Sequence, residues 1–227
     1  MKHYRHIIWD WNGTLVDDVR VSVEVLNQVL AKYGMPLTDC RKYRSQFGFP
    51  VQDYYNKLGF DFSKQSYRAV ADDFIAAYNA KRFTCPLQDG ARDVLQCCQD
   101  LGLTQSILSA YAQTLLEECV EFFGLRPFFV RLAGLADYFA AGKIAEGRRL
   151  VWELAVDPPS ILLIGDTLHD HEVAQALGID CILIGAGHQD PDRLRVCEVP
   201  LLDCVRQVPA FLDDDCRRQA QDPQGNK

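Results

Sequence analysis

Short apolar runs that stop at Gly, Asp or Ser constrain this chain more than any other feature. Residues 6–9 (His-Ile-Ile-Trp) run into Asp10, and residues 161–164 (Ile-Leu-Leu-Ile) run into Gly165-Asp166. Residues 129–133 and 181–184 repeat the pattern, and 105–108 and 199–202 echo it more weakly. Continuous apolar runs of this length suit strands covered on both faces, as in a parallel sheet. Helical patterns lie between them, over 90–101, 114–123 and 148–155. In the first of these Ala91, Val94, Leu95 and Cys98 share one side. The alternation from residue 86 onward therefore reads as βαβ units with right-handed crossovers.

Residues 17–85 follow a different rule. Val19, Val23, Leu26, Leu30 and Tyr33 fall at helical steps, which predicts an amphipathic helix ended by Gly34 and Pro36. Residues 51–58 and 66–81 are further helical patterns, and no strand pattern appears. The expected architecture is α/β. A Rossmann-like parallel sheet core is built from residues 1–16 and 86–212 and interrupted by an all-helical cap over 17–85. Residues 213–227 read as a polar tail.

Charge and cysteine content narrow the class. With 31 acidic against 24 basic residues the net charge is −7, which speaks against a nucleic-acid partner. Nine cysteines, an odd number without a CxxC pair, read as reduced and mostly buried thiols. No apolar run is long enough for a signal peptide or a bilayer span. The expectation is a cytoplasmic protein with no membrane partner.

The chemistry sits where the apolar runs stop, as expected for an open α/β sheet. The first end reads Asp10-Trp11-Asn12-Gly13-Thr14, the second Ser109-Ala110, and the last Gly165-Asp166-Thr167-Leu168-His169-Asp170. Lys143 lies beyond the run near 129–133 and 23 residues before Asp166. Together these motifs resemble the haloacid dehalogenase superfamily, in its phosphatase branch with a helical cap, the phosphoglycolate phosphatase-like enzymes. The resemblance spans nearly the whole chain, including the place of the cap between the first two motifs.

That resemblance implies a role for each position. Asp10 is the expected nucleophile, forming an acyl phosphate that splits one displacement into two. Gly13 lets the backbone turn closely around the phosphate, and amides near Thr14 and Ala110 bind it. Ser109 and Lys143 stabilise phosphoryl charge. Asp10, Asp166, Asp170 and the backbone carbonyl of Asn12 are the expected Mg2+ ligands. The implied partner is a small phosphorylated metabolite, phosphoglycolate among them, and the implied assembly is a monomer or a homodimer. Arg44, in a cap loop over residues 44–50, is a candidate for a substrate carboxylate, with Phe47, Phe49, Tyr54 and Tyr55 as an apolar wall. Residues 185–188 (Gly-Ala-Gly-His) read as a turn near the site, with His188 a candidate supporting group.

The chain departs from the family pattern at Asn12, where phosphatases carry a second aspartate as acid and base. An amide donates a hydrogen bond but moves no proton. Substrates with good leaving groups, a proton donor elsewhere (His169, Asp17 or Asp18) or a long-lived aspartyl phosphate would each accommodate this. Alternative functions are a weakly active or non-catalytic phosphate-binding regulator, a phosphotransferase, or a phosphonate hydrolase using Lys32, Lys42 or Lys57 of the cap.

Overall fold

The structure is a computed structural model and describes residues 4–136 and 143–213. Six strands form one sheet: β1 (His6–Trp9), β2 (Thr104–Ala112), β3 (Arg131–Leu135), β4 (Ile161–Gly165), β5 (Asp180–Ile184) and β6 (Leu201–Leu202). Their order is β3-β2-β1-β4-β5-β6, and every pair is parallel. Five α-helices lie between β1 and β2, the first four being α1 (Val19–Lys32), α2 (Cys40–Gln46), α3 (Val51–Lys57) and α4 (Tyr67–Lys81). Then α5 (Ala91–Asp100) precedes β2, α6 (Gln113–Phe122) precedes β3, α7 (Lys143–Leu154) precedes β4, and α8 (Leu168–Leu177) precedes β5.

Both sheet faces are covered, which is why the strands read as unbroken apolar runs. Ile7, Trp9, Leu162, Ile164, Ile182 and Ile184 share one core with α5 and α6. Ile8, Leu163 and Leu183 share the other with α7 and α8. Register keeps each set on its face: Ile7 pairs with Leu162 and Ile8 with Leu163. Helices α1–α4 have a third core of their own, built on Leu26, Leu30, Tyr43, Tyr54, Tyr55 and Val70.

This topology fixes where a ligand goes. The chain leaves β1 toward β2 on one side and later returns to β4 on the other. The crevice beyond the carboxyl ends of β1 and β4 is therefore the switch point of the sheet.

Local differences from the expected elements have physical causes. The strand expected over 129–133 begins only at Arg131, because Arg126–Phe128 with its proline forms a 3-10 turn just before it. The expected loop at Arg44 is the last turn of α2, which starts where the Asp39 side chain accepts from the Lys42 amide at 2.8 Å. Helix α7 starts at Lys143 rather than at residue 148. All cysteines among the described residues are free thiols, and Cys85, Cys98, Cys119 and Cys181 are buried. No helix among the described residues is long and apolar enough to cross a membrane. Of the polar tail, residues 214–227 lie outside the described residues.

Candidate active site

The last β1 residue, Trp9, pairs with Ile107 on one side and Ile164 on the other. Asp10 follows, its amide donating to the Ile164 carbonyl at 2.8 Å. Asp166 stands two residues beyond Ile164, and Asp170 lies in the first turn of α8. A capping box holds that turn: the Thr167 side chain accepts from the Asp170 amide, and Asp170 Oδ2 accepts from the Thr167 amide at 3.0 Å. One residue thereby starts a helix and aims a carboxylate. Oxygens of Asp10, Asp166 and Asp170, all buried, lie within 4.8 Å of one another.

Lys143, buried at the start of α7, ties this cluster together. Its Nζ donates to Asp10 Oδ1 and, at 2.7 Å, to Asp170 Oδ1. Thr14 Oγ1 donates to Asp166 Oδ1 at 3.0 Å, and the His188 amide donates to Asp166 Oδ2 at 2.6 Å. Gly13 has φ +78°, and a Cβ there would lie 2.6 Å from the His188 ring and overlap the Asp166 carboxylate. A Cβ on Gly187 would overlap the same carboxylate. These two glycines let two backbone segments close on one carboxylate. The Gly13 amide is itself committed, to the Val16 carbonyl and to Asp18 Oδ1.

The electrostatics follow from burial. Burial raises the Asp10 carboxyl well above the usual range, with Lys143 opposing and Asp170 and Asp166 adding to the rise. Burial pushes Asp166 up to about 6 against the pull of His188. Burial acts the same way on Asp170, but Lys143 and the Thr167 hydrogen bonds outweigh it and hold that carboxyl low. Burial disfavours the Lys143 ammonium, yet Asp10 and Asp170 outweigh it and keep the amine charged.

A second buried network abuts the first. Asp18 Oδ2 accepts from Asn12 Nδ2 at 2.8 Å and from the Tyr78 hydroxyl at 2.7 Å. Its Oδ1 accepts from His188 Nε2 at 3.1 Å, and His188 Nδ1 is 2.9 Å from the Tyr43 hydroxyl. Burial opposes both charges, but the pairing wins: Asp18 is held low and His188 is raised to about 9. Asp18 is thus an ionised acceptor. Tyr78 comes from α4 and Tyr43 from α2, so the helices after β1 meet the sheet side at Asn12 and at His188, beside Asp166. Tyr43 and Tyr78 carry no local signal in the sequence: Tyr43 is the single aromatic of a short polar helix, and Tyr78 is one of three aromatics on α4.

A cavity of about 700 Å3 opens from this floor between cap and core. It is lined by Asp10, Asn12, Ser109, Ala110, Lys143 and Asp170 below and by cap aromatics above. Ser109, buried where the β2–β3 register shifts, accepts the Tyr111 amide at 3.1 Å, which leaves its own hydrogen for another acceptor. Arg44 is not brought to the cavity. Its Nη2 donates to the carbonyls of Gly185 and Gln189, so it docks α2 onto the core. Of the candidate proton donors, His169 pairs with Glu172 at 3.2 Å and its ring lies 4.8 Å from that of Phe49.

The donor set suits a hard divalent cation. Three buried carboxylates face one ammonium, all donors are oxygen, and no hydrogen bond among the described residues reaches the Asn12 carbonyl.

Residues 7–184 match the haloacid dehalogenase-like hydrolase family, and the chain belongs to it. It is 25% identical over 188 residues to the tyrosine-protein kinase PtkA of Mycobacterium tuberculosis, covering 82% of this chain and 64% of that protein. It is 24% identical over 212 residues to a phosphoglycolate phosphatase of Chromobacterium violaceum, covering 86% of this chain and 90% of that one. The fold is shared with a predicted phosphatase from Clostridium acetobutylicum, at TM-score 0.80, 18% identity and coverage of 93% and 99%. Mycobacterium tuberculosis PtkA has it too, at TM-score 0.79, 22% identity and the same coverages.

Proposed function

We propose that this hydrolase is a Mg2+-dependent phosphatase that cleaves a small-metabolite phosphomonoester through an aspartyl phosphate on Asp10. The observation that carries the reading is Lys143 joining Asp10 Oδ1 to Asp170 Oδ1 beside Asp166, at the floor of the cavity. Among the described residues Asp10 Oδ2 has no hydrogen-bond partner, so it is the oxygen left to attack phosphorus. Lys143 fixes the rotation of that carboxylate and balances charge on the transferring group. The Ser109 hydroxyl donates to a phosphoryl oxygen. Asp10, Asp166, Asp170 and the Asn12 carbonyl would hold Mg2+, which would supply charge neutralisation there. The ester oxygen leaves as Asp10 Oδ2 bonds to phosphorus; water then attacks phosphorus, the bond to Asp10 breaks, and the water's proton goes to the departed oxygen, giving alcohol, phosphate and free Asp10. Relatives named phosphoglycolate phosphatase support a phosphomonoester as the substrate.

The test is phosphate release from a metabolite panel with Mg2+ and with EDTA, alongside Asp10→Asn. Loss of turnover in both arms, with a reducible acyl phosphate mapped to residue 10 in the wild type, is the expected result. Undiminished turnover by Asp10→Asn overturns the reading.

A second reading, phosphoryl transfer to an acceptor other than water, rests on Asn12, which cannot take a proton from an attacking water. The kinase name of the Mycobacterium tuberculosis relative is in keeping with it. It predicts an acyl phosphate that outlives many hydrolytic turnovers of an ordinary phosphatase and empties when the acceptor is added.

A further inference from the structure

Three features of the cavity bear on the group attached to the phosphate. The first is its walls. Tyr43, Phe47, Tyr54, Phe74, Tyr78 and Tyr111 surround the space above Asp10 and Asn12. Phe74 stacks on Tyr78 with planes 10° apart, and Tyr111 meets Tyr78 edge-on at 5.9 Å. Such a wall offers faces and edges to another ring and little to a polar chain.

The second feature is charge. Among the described lining residues the cationic candidates are Lys143, His169 and His188. Lys143 is committed to Asp10 and Asp170 and His188 to Asp18, while His169 meets Glu172 through Nδ1 only and its buried Nε2 has no partner. Asp18 and Glu172 themselves line the space. A leaving group bearing a carboxylate would be desolvated there beside the like charges of Asp18 and Glu172, with no unpaired ammonium or guanidinium among the described lining residues to balance it.

The third feature is Asn12. Its amide is hydrogen-bonded to Asp18 and to the Tyr78 hydroxyl at 2.7 Å, and it holds no transferable proton. Expelling an aliphatic alkoxide, whose conjugate acid is about as weak as water at ~15.7, calls for an acid. A phenol ionises near pKa ~10 and leaves as phenolate without one.

We infer that the substrate of this site is a phenolic phosphate, an aromatic ring seated among the cap aromatics with its phosphate on Asp10. The inference rests on the phosphatase reading above and names its substrate class. In the first step Asp10 Oδ2 bonds to phosphorus and the phosphorus–oxygen bond to the ring breaks, the electron pair leaving on phenolate. In the second, water oxygen bonds to phosphorus, the bond to Asp10 breaks, and the released proton neutralises phenolate. The products are phenol, phosphate and free Asp10.

The test compares kcat/KM with Mg2+ for phenyl phosphate, phosphoglycolate, a phosphotyrosyl peptide and acetyl phosphate. Acetyl phosphate needs neither a ring nor an acid, so it reports the Asp10 chemistry alone. Phenyl phosphate is expected to exceed phosphoglycolate by about 100-fold or more. Phe74→Ala, at a half-buried position, is expected to lower the ratio of phenyl to acetyl phosphate turnover about tenfold. Preference for the free ring or for the peptide tells which source the phenolic phosphate comes from, and either supports the class. Phosphoglycolate turned over as fast as phenyl phosphate, with acetyl phosphate hydrolysed, overturns the phenolic class and leaves the phosphatase reading standing. Failure to hydrolyse acetyl phosphate or to label Asp10 overturns both.

Discussion

Residue 12 carries an amide where the family's phosphatases carry a carboxylate, and the structure shows what that amide does. It donates to Asp18 and to Tyr78, so it holds a tyrosine of α4 against the end of β1, two residues from Asp10. An aspartate introduced there would face Asp18 across 2.8 Å, and the like charge would raise the pKa of one of the pair. That is the condition a general acid needs. Asn12→Asp is therefore expected to raise steady-state turnover of alkyl phosphates about 100-fold, and by at least tenfold more than turnover of aryl phosphates. A second prediction concerns Asp166. Its folded-state pKa, about 6, lies above the unfolded 3.8, so ionising it costs stability that is fully lost above about pH 6 and restored as pH falls toward 4. In metal-free protein, Asp166→Asn should then be more stable than wild type at pH 8, by about 2–3 kcal/mol in urea unfolding. Thr14 can turn its hydroxyl to accept the new amide. The difference should vanish near pH 4, and Mg2+ should no longer stabilise the variant.

Helix α8 shows an element serving structure and site with the same atoms. Thr167 caps it, and the Thr167 hydroxyl also lies 2.7 Å from Asp170 Oδ2. Thr167→Ala should cost about 1 kcal/mol, seen as a Tm lower by about 2–4 °C. It should also weaken Mg2+ affinity in calorimetry, because Asp170 loses a partner that fixes its rotamer. Legibility differs between elements for a similar reason. β1 and β4 were readable because both faces are buried, which forces continuous apolar runs, and the motifs Asp10 and Asp166 follow those runs directly. Helix α2 was not: its seven residues include only one buried side chain, Tyr43, and carry Arg41, Lys42 and Arg44. A segment so short and polar shows no amphipathic period, and its helix depends on the Asp39 cap and on docking.

Cap and core are joined in the whole molecule by contacts between residues far apart in the chain. Tyr43 reaches His188, Asn12 Nδ2 donates to the Tyr78 hydroxyl, and Gln189 Nε2 donates to the Phe47 carbonyl at 3.0 Å. Arg44 belongs to this clasp. Arg44→Ala is expected to speed amide hydrogen exchange in α2 and the following loop while leaving β1 and β4 protected. Were Arg44 instead a substrate ligand, the variant would raise KM for carboxylate-bearing substrates only and leave exchange unchanged.

By itself the sequence determined the α/β class, the parallel sheet, the helical segment between its first two strands and the positions of Asp10, Ser109, Asp166 and Asp170. Burial on both faces and strand-end chemistry are written locally, in runs of a few residues. Tertiary structure alone decided that Lys143 bridges two carboxylates, that Arg44 docks a helix, and that Asn12, Asp18, Tyr43, Tyr78 and His188 meet in one network. Those pairings come from distant parts of the chain. A buried charge there is tolerable only with its partner in place, and no local period records which partner that is.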